Sequence, residues 1–426
     1  MALNSQIADP RNWLHMLFEQ AVASASPAHC LPDHLPDVPQ GRTFVVAIGK
    51  AAGSMAAVTE AHWPPTSPLE GFALTRYGHG MPCQRIEVIE ASHPVPDDRG
   101  FVATQRIVAE LANLTSDDLL LFLVSGGGSA LMTAPAQGIS LEEKKSINRA
   151  LLNSGAPIGE MNVVRKHLSS VKGGRLAQLA APARIVTLAI SDVPGDDPST
   201  IASGPTVPDD STQADALALL ETYGIEVSSA VLDHLKDARF ETPKSDDAIF
   251  ENTSFCLITR PADMLNTIVG RLRADGLPVE TLGADLEGEA RSVARDHAQM
   301  ILNGTGQDRL IVSGGETTVT VAEGASSGRG GRNCEYLLAL AIELDGHSNT
   351  YALAADTDGI DGSETNAGAI ITPTTLERGR AAGMDALEYL NRHDSFSYFE
   401  ALGDLVVTGP TRTNVNDFRV ILTVGG

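Results

Sequence analysis

The densest group of residues that could do chemistry is a glycine-rich phrase behind a short apolar run. The apolar residues 119–124 are followed directly by two serines that enclose three glycines: Ser125, Gly126, Gly127, Gly128 and Ser129. A strand that runs into several glycines presents backbone N–H groups at the carboxyl end of a sheet, and phosphate is the ligand that this arrangement favours. We expect the phrase to bind a phosphate or a carboxylate; the alternative is a tight turn in which glycine only supplies positive φ. The spacing supports neither the Rossmann fingerprint G-x-G-x-x-G nor a Walker loop.

A related phrase occurs in the second half of the chain. The apolar residues 310–312 lead into Ser313, Gly314, Gly315 and Glu316. Two strand-Ser-Gly-Gly turns are thus predicted, and if they face one cleft, one could hold the substrate and the other a nucleotide. Glu316 could be a magnesium ligand, a hydrogen-bond acceptor for substrate or only a loop carboxylate, and the sequence leaves these alternatives open.

Positive charges are concentrated in one stretch without acids. Residues 161–190 contain no Asp or Glu, although the whole chain has 54 acidic residues in 426. Arg165, Lys172 and Arg175 in this stretch are candidates for contact with an anion, since a glycine pair separates the last two and would let the backbone reach the same anion. The alternative is a solvated helix face that is balanced by acids elsewhere in the fold.

Further cations stand at the starts of predicted helices. Lys50 follows the strand predicted at residues 44–48 through a single glycine, so its ammonium would project from the carboxyl edge of the sheet. Arg329 and Arg332 lie in a glycine-rich loop that enters the helix predicted at 333–344. An arginine there is unfavourable for the helix dipole but well placed to meet an anion that the same terminus attracts. We therefore predict anion contacts for Lys50 and for one of the two arginines.

Two aspartates are candidates for holding Mg²⁺ on nucleotide phosphates or for accepting the proton of a hydroxyl group. Asp192 follows the apolar run 184–190, and Asp356 follows a later apolar run. Carboxylates at the carboxyl ends of strands suit both tasks. Asp192 is the preferred candidate because it stands alone between a strand and a Pro-Gly turn, whereas turn formation explains Asp358 and Asp361 equally well.

The overall charge limits the partners of the protein. The chain has 31 Lys and Arg against 54 Asp and Glu, which gives a net charge of −23. A surface this acidic repels polyanions, so we expect neither nucleic acid nor an anionic membrane as a partner. Four widely spaced cysteines, no signal peptide and only short apolar runs predict a reduced, cytoplasmic chain without a membrane span. The sequence leaves open whether the protein is a homo-oligomer.

The order of the predicted elements indicates the scaffold that positions these residues. Short apolar runs such as 43–48 and 119–124 alternate with helical patterns, which favours a mostly parallel α/β sheet that is covered on both faces. A second series of the same period begins near residue 240, with its first strand predicted at 254–258. We therefore predict an α/β fold of two α/β domains, residues 1–240 and 241–426, with the site in the cleft between them.

In sequence order, the motifs resemble the glycerate 2-kinase family with a MOFRL C-terminal domain. The resemblance rests on phrases that begin at Val46, Ser92, Val124, Ser191, Ala202, Gly314, Gly330 and Asp356. It implies a Rossmann-like first domain and a MOFRL-type α/β second domain, with ATP and glycerate meeting in the cleft. The active-site lysine proposed for the family matches Lys50, and its arginine matches Arg332, with Arg329 close enough to compete for that assignment. Cys334 stands where the family phrase would have Gln, which makes it a candidate for oxidation near the site.

The resemblance also implies a reaction. The family transfers the γ-phosphoryl group of ATP to the 2-hydroxyl of D-glycerate with Mg²⁺, which gives 2-phosphoglycerate and ADP. Lys50 and Arg332 would then stabilise the transferred group, and this fits a reaction that needs mainly positioning and charge neutralisation. Asp192 would orient Mg²⁺ or the attacking hydroxyl. The alternatives are an NAD(P)H-dependent hydroxypyruvate reductase, for which the sequence offers no G-x-G-x-x-G fingerprint, and a non-catalytic sensor of small acids.

Overall fold

The chain folds into two units, one of which is built from both ends of the sequence. The computed structural model describes residues 7–304, 308–321, 328–347 and 349–424. The unit from Cys30 to Ile258 is called the inserted unit, and the residues before and after it form the flanking unit.

Helices in both units are numbered along the chain. They are α1 Pro10–Ser24, α2 Pro27–Cys30, α3 Ala52–His62, α4 Asp98–Leu111, α5 Gly128–Leu131, α6 Leu141–Asn153, α7 Ile158–His167, α8 Arg175–Ala180, α9 Gln213–Thr222, α10 Ser229–Lys236, α11 Pro261–Ala274, α12 Ala290–Leu302, α13 Arg332–Leu344, α14 Thr375–Ala381, α15 Ala386–Asn391 and α16 Ser395–Leu402. Short 3₁₀ turns lie at Pro32–His34, Ile201–Ser203, Ala238–Phe240 and Ala248–Phe250.

A six-stranded sheet forms the centre of the inserted unit. Its strands are β1 Thr43–Ile48, β2 Leu69–Arg76, β3 Ile86–Ala91, β4 Leu119–Val124, β5 Arg184–Ile190 and β6 Thr253–Thr259. They lie in the order β3-β2-β1-β4-β5-β6, and the first five run parallel. This is the strand order of a Rossmann sheet, and the order reverses between β1 and β4. Ligands of such sheets bind beyond the carboxyl ends of the strands at this switch point.

The sequence explains why these elements form. β1 and β4 are buried along their whole length, because helices cover both faces of a central parallel strand, and their continuous apolar runs meet that requirement. α4 packs on β2 and β3 and begins at a cap, since the Asp97 carboxylate accepts a hydrogen bond of 3.0 Å from the Gly100 N–H group. Such a cap satisfies one of the N–H groups that a helix start leaves open.

The inserted unit has two apolar cores. The larger one joins the sheet to its helices and includes Phe44, Phe72, Ile107, Phe122 and Leu176. The smaller one joins α6, α7, α9 and α10 and includes Ile147, Leu151, Val164, Leu220 and Leu235. Helices α6 and α7 of this smaller core carry several of the charged side chains that matter below.

The flanking unit contains a second six-stranded sheet of different character. Its strands are β7 Val279–Thr281, β9 Arg309–Gly315, β11 Thr350–Asp356, β12 Gly368–Ile371, β13 Leu405–Val406 and β14 Asp417–Thr423, while β8 Gly288–Glu289 and β10 Thr317–Thr318 form a separate pair. The order is β13-β12-β11-β14-β9-β7, and every pairing except β7 with β9 is antiparallel. The prediction of repeated parallel βαβ units was therefore wrong here, because β14 at the end of the chain enters the middle of the sheet.

The first helix belongs to this flanking unit. α1 packs against α11, β11 and β14, and the rings of Phe18 and Phe418 lie 6.4 Å apart. Arg11 pairs with Asp404, and the Thr413 hydroxyl donates to the carbonyl oxygen of Ala25 at 2.6 Å. These contacts join residues almost 400 positions apart in the sequence. A local sequence pattern cannot predict such contacts.

The division of the chain thus differs from the predicted boundary between residues 240 and 241. The strand predicted at 254–258 is β6, which lies beside β5 in the inserted unit rather than opening the second domain. The predicted fold class is confirmed, since the chain is a mixed α/β protein with a mostly parallel first sheet and a second sheet. Across the part of the chain that the structure describes, no helix has the length and apolar character needed to cross a membrane.

Candidate active site

The loops after β1 and β4 are tied together at the switch point of the inserted unit. The Lys50 N–H group donates to the carbonyl oxygen of Gly126 at 2.8 Å, and the Ala51 N–H group donates to the hydroxyl of Ser125 at 3.0 Å. Gly49 has a φ of +112°, and a Cβ there would lie 2.3 Å from the Ser125 hydroxyl oxygen. Only glycine allows this approach. The structure therefore brings the backbone of Lys50 and the glycine phrase together at this edge of the sheet.

The glycine phrase itself ends in a very short helix. Gly127 has a φ of +83° and precedes α5, which has only four residues. A macrodipole needs several aligned peptide units, so this helix contributes little to anion binding. The remaining attraction for an anion has to come from loop N–H groups and nearby cations.

A buried lysine holds the last residue of the glycine phrase in place. The Lys172 ammonium donates to the carbonyl oxygen of Ser129 at 2.7 Å and to its hydroxyl at 2.5 Å. The hydroxyls of Ser129 and Ser203 lie 2.9 Å apart. Burial, and secondarily the charge of Arg165, lowers the pKa of Lys172 to about 7. A lysine that the sequence predicts as an anion ligand is thus also a support of the loop.

Three further cations surround Lys172 in the inserted unit. Lys144 on α6 is buried and donates to the carbonyl oxygen of Leu168 at 2.9 Å. Burial lowers its pKa well below the ordinary value, and the charges of Lys172, Arg165 and Arg175 lower it further. Such a concentration of buried positive charge attracts an anion, which would relieve the repulsion between the cations.

Sequence reasoning missed Lys144, although a signal was present. It lies three residues before Ile147 and seven before Leu151, so it shares their helix face, and that face is buried. Arg165 and Arg175 were predicted as candidates. Arg165 donates to the side-chain oxygen of Asn162 at 3.4 Å, and Arg175 donates to the carbonyl oxygen of Phe240. Burial lowers the pKa of both arginines.

Asp192 lies at the same edge of this sheet. It follows β5, whose Ala189 pairs with Val124 of β4, so the chain reaches Asp192 beside the start of the glycine phrase. Asp192 and Ser125 thus follow the carboxyl ends of two neighbouring parallel strands.

In the flanking unit, neighbouring strands collect carboxylates around one arginine. Asp417 at the start of β14 pairs with Asp356 at the end of β11 and with Gly315 at the end of β9, and Glu316 comes next in the chain. Arg332, the first residue of α13, reaches all three carboxylates. Its Nε lies 3.0 Å from both oxygens of Asp417, its Nη2 lies 2.7 Å from Asp356, and its Nη1 lies 2.6 Å from Glu316.

The charge environment of Arg332 differs from the predicted one, in which the arginine stands alone at a helix start. Burial alone lowers the pKa of Arg332, but the charges of Asp417, Asp356 and Glu316 outweigh burial and raise its pKa above the ordinary value. Arg332 is therefore the counter-ion of an acidic cluster and not an isolated cation at a helix terminus. Sequence reasoning missed Asp417, whose only signal is an acid at the start of a mostly apolar strand.

The start of α13 is already capped by a protein carboxylate. Asp361 accepts hydrogen bonds from the N–H groups of Asn333 and Cys334 at 3.0 and 2.9 Å. Burial raises the pKa of Asp361 to about 6, although these two N–H groups oppose the shift. Gly331 makes the approach possible, since a Cβ there would lie 2.3 Å from an Asp361 oxygen.

The second Ser-Gly-Gly phrase is not a turn. Ser313, Gly314 and Gly315 form the end of β9 and pair with β14. A Cβ at Gly315 would lie 2.2 Å from the backbone nitrogen of Leu286, which explains this glycine without a ligand. The prediction of two equivalent turns was wrong, because the antiparallel partner β14 extends the strand through the glycines.

Arg329 has a different environment from Arg332. It pairs with Glu364 at 2.8 Å and Glu400 at 3.3 Å, and its guanidinium lies over the ring of Phe396. These exposed contacts describe a surface arginine. Arg332, by contrast, lines a pocket of about 430 Å³ together with Glu316, Thr317, Thr318, Gly330 and Gly331. The serines that open the predicted loop, Ser326 and Ser327, lie outside the described residues.

Neither predicted metal ligand belongs to a preformed metal site. Within the described ranges, no three His, Cys, Asp or Glu side chains converge as metal ligands would. One oxygen of Asp356 accepts from Arg332 and the other accepts from the Asp358 N–H group at 2.9 Å. Both oxygens of Asp356 are thus engaged by groups of the protein itself.

Cys334 is not exposed to oxidants. It is fully buried, the Asn366 side chain donates to its sulfur at 3.2 Å, and burial raises the pKa of its thiol well above the ordinary value. The thiolate is the reactive form, so the expectation of an oxidation-sensitive position was wrong.

Family models match both halves of the chain. A model described as "Domain of unknown function (DUF4147)" matches residues 13–236, and the model of the MOFRL family matches residues 309–417.

Known relatives span nearly the whole chain. A protein of Agrobacterium vitis named "Putative hydroxypyruvate reductase" is 48% identical over 97% of this chain and 94% of its own length. The D-glycerate 2-kinase of Thermotoga maritima is 39% identical over 96% of this chain and 97% of its own length. The crystal structure of glycerate kinase from Thermotoga maritima superposes with a TM-score of 0.86 at 37% identity, over 97% of this chain and 99% of that one.

Proposed function

The chain belongs to the glycerate 2-kinase family, and on that premise we propose that it transfers the γ-phosphoryl group of ATP to the 2-hydroxyl group of D-glycerate. The relatives support a glycerate kinase, and the donor and the position of transfer are the proposal. The observation that carries it is the pairing of the Lys50 loop with the glycine phrase at the switch point of a Rossmann-type sheet. That is where such sheets bind phosphorylated ligands.

Phosphoryl transfer requires that the two substrates are positioned and that the negative charge of the transferred group is neutralised. The 2-hydroxyl oxygen attacks the γ-phosphorus, the bond to the bridging oxygen of ADP breaks, and the hydroxyl proton passes to a base. Little covalent chemistry falls to the protein, so cations near the transferred group carry most of the catalysis. We assign this role to Lys50 in the inserted unit and to Arg332 in the flanking unit.

The glycine phrase is our candidate for binding the glycerate carboxylate or a phosphate. Its loop N–H groups would be aided by the buried cations behind it, since Lys172 holds Ser129 and lies near Arg165. A preorganised loop binds an anion without first losing entropy on ordering.

Magnesium would arrive with ATP. Mg²⁺ usually takes one or two protein carboxylates, with phosphate and water oxygens as its other ligands, so a cluster of three protein ligands is not required. Asp192 is our candidate ligand, or alternatively the acceptor of the hydroxyl proton, because it stands at the same sheet edge as the glycine phrase.

The second candidate function is reduction of hydroxypyruvate with NAD(P)H. It is favoured by the names of relatives such as the Agrobacterium vitis protein. Against it, the loop after β1 reads Gly49-Lys50-Ala51-Ala52-Gly53 and lacks the glycine spacing that brings a backbone close to a dinucleotide pyrophosphate.

A coupled assay and a product assignment test the proposal. The purified protein is incubated with ATP, MgCl₂ and D-glycerate, ADP release is followed, and the product is assigned by ³¹P NMR. We expect ADP and 2-phosphoglycerate in equal amounts, with L-glycerate as the matched substrate control. Formation of 3-phosphoglycerate would refute the position of transfer, and steady consumption of NADH with hydroxypyruvate, followed at 340 nm and without kinase activity, would favour the reductase.

A further inference from the structure

The three nitrogens of the Arg332 guanidinium have unequal partners. Nε and Nη2 face Asp417 and Asp356, whose side chains are 0% and 5% exposed. Nη1 faces Glu316, whose side chain is 48% exposed. Two sides of the guanidinium are thus fixed inside the flanking unit, and the third is directed toward an accessible carboxylate.

The two kinds of partner differ in how easily they can be replaced. Separating a buried ion pair leaves an uncompensated charge in a low dielectric, whereas an exposed pair is weak because water solvates both groups when they part. Asp417 is held further by Asn333 at 2.8 Å and by Arg419 at 2.6 Å. The described contacts of Glu316 contain no second cation of this kind. A ligand can therefore replace Glu316 but not the buried aspartates.

Arg332, which carries Nη1, and Glu316 also lie in the wall of a pocket that a small ligand could enter. Both residues line the pocket of about 430 Å³, and the pocket wall includes Gly330 and Gly331. The volume falls within the range of about 300–1,000 Å³ that is usual for small-molecule sites.

We propose that an anionic oxygen of a substrate binds Arg332 at Nη1 by displacing Glu316, which acts as a built-in competitor of that substrate. This inference rests on the proposed function, in which the candidates are a phosphate of ATP and the carboxylate of D-glycerate. Asp417 and Asp356 are then positioning residues that aim Nη1 into the pocket, and Glu316 sets the apparent affinity without touching the reacting atoms.

Glu316→Gln removes the competing charge and keeps the size of the side chain. We expect the KM for one of the two substrates to fall about two- to five-fold, which is the range that an exposed ion pair can supply. A fall in the KM for ATP assigns Nη1 to a phosphate, and a fall in the KM for D-glycerate assigns it to the carboxylate. Calorimetric titration of the same variant with ATP–Mg and with D-glycerate, separately, measures the same change without turnover.

Glu280→Gln is the matched control in the same unit. Glu280 is 46% exposed and pairs at 2.7 Å with Arg309, which is 25% exposed; Glu316 pairs at 2.6 Å with Arg332, which is 22% exposed. Both variants remove one negative charge, so a general field effect would appear in both. Both experiments are repeated in 0.5 M NaCl, where a contact effect persists and a distant one is screened.

The outcomes separate this inference from the proposed function. An unchanged or raised KM for both substrates in Glu316→Gln overturns the inference, as does an equal fall in Glu280→Gln. A raised requirement for Mg²⁺ in Glu316→Gln would also overturn it, since Glu316 would then be a metal ligand. A wild-type protein without kinase activity refutes the proposed function, whereas calorimetry with Glu316→Gln still decides the inference.

Discussion

Lys172 donates two hydrogen bonds to Ser129, one to the carbonyl oxygen at 2.7 Å and one to the hydroxyl oxygen at 2.5 Å. The lysine is 3% exposed and lies near other cations, so these bonds hold a charge that has no water around it. The end of the glycine phrase is therefore fixed by a group whose protonation changes near neutral pH.

The first prediction concerns the effect of Lys172 on stability. Its folded pKa of about 7 lies below the ordinary value of 10.5, so between these values the unfolded chain binds more protons. The contribution of Lys172 to the free energy of unfolding therefore rises with pH between pH 7 and pH 10.5. Below pH 7 the lysine is charged in the folded protein, and the full cost of burying that charge is present. In Lys172→Met the penalty is gone. We expect the stability of this variant relative to wild type to fall by up to about 1.4 kcal/mol per pH unit above pH 7.

Urea unfolding at pH 7 and pH 9 measures this difference. Lys145→Met serves as the control, because Lys145 on α6 is also a lysine of the inserted unit but pairs with the exposed Glu142. A difference between Lys172→Met and wild type that stays constant with pH would contradict the assignment.

The second prediction concerns Lys50. If its ammonium neutralises charge on the transferred phosphoryl group, Lys50→Ala should lower kcat by about 10²–10³-fold, as the loss of a preorganised donor does in other enzymes. The far-ultraviolet circular dichroism and Tm should stay close to wild type. Lys236→Ala, at the exposed end of α10, removes the same charge elsewhere and should leave kcat unchanged. Near-normal turnover in Lys50→Ala would remove Lys50 from the mechanism.

The third prediction separates the two arginines of the glycine-rich loop. Arg329→Ala removes exposed ion pairs and should change the unfolding free energy by less than about 1 kcal/mol, with kcat retained. Arg332→Ala removes one buried ion-pair partner from Asp417, which keeps Arg419, and one from Asp356, and should cost about 3–5 kcal/mol. Arg332→Lys keeps the positive charge but lacks the planar guanidinium that donates to several carboxylates at once, so this variant should fold and lose activity. Thermal unfolding and kcat of the three variants decide the assignment.

The fourth prediction tests the close approach of the Lys50 loop to Ser125. Gly78→Ala, at a φ of +79° with no atom within 4 Å of the added Cβ, should cost about 1–2 kcal/mol for the backbone alone. Gly49→Ala adds a clash at 2.3 Å with the Ser125 hydroxyl and should cost about 1–3 kcal/mol more. Activity should fall in Gly49→Ala only. Equal losses in both variants would mean that the loop tolerates the added methyl group.

The fifth prediction concerns thiol reactivity. Cys30, Cys83 and Cys256 are partly exposed, whereas Cys334 is fully buried. Burial raises the pKa of the Cys30, Cys83 and Cys334 thiols, so the difference in exposure decides the order of reaction. In the native protein, a thiol reagent such as DTNB should modify Cys334 last, and only as fast as the flanking unit opens. Mass spectrometry of partly labelled protein reads the order, and early labelling of Cys334 would contradict the burial described above.

Much of the inserted unit could be predicted from local pattern. The apolar runs of β1 and β4 are continuous because both strands are buried on both faces, and the glycines and Lys50 follow directly at their carboxyl ends. Because β1 and β4 are parallel neighbours, the residues that follow their carboxyl ends, Lys50 and Ser125, lie close together.

The flanking unit depended on information that no local pattern contains. Ser313 and its two glycines have the same letters as the first phrase, yet they form a strand because β14 pairs with them. Asp417 is a charge in a buried strand, and hydropathy alone assigns charges to the surface. In both cases the deciding partner lies far away in sequence.

The contacts of α1 have a consequence for synthesis of the chain. The apolar face of α1, which includes Leu14, Leu17 and Phe18, is covered partly by β14, and β14 ends at Thr423. At about 5–20 residues per second, a ribosome needs roughly 20–80 s to reach that strand after it has made α1. The inserted unit is made first, and until it is complete the nascent helix has none of its final neighbours; α11 and β11 follow, and β14 is the last of them to be made. Helix α1 is thus made well before the strand that completes its burial, and its apolar face is accessible to a chaperone in the meantime.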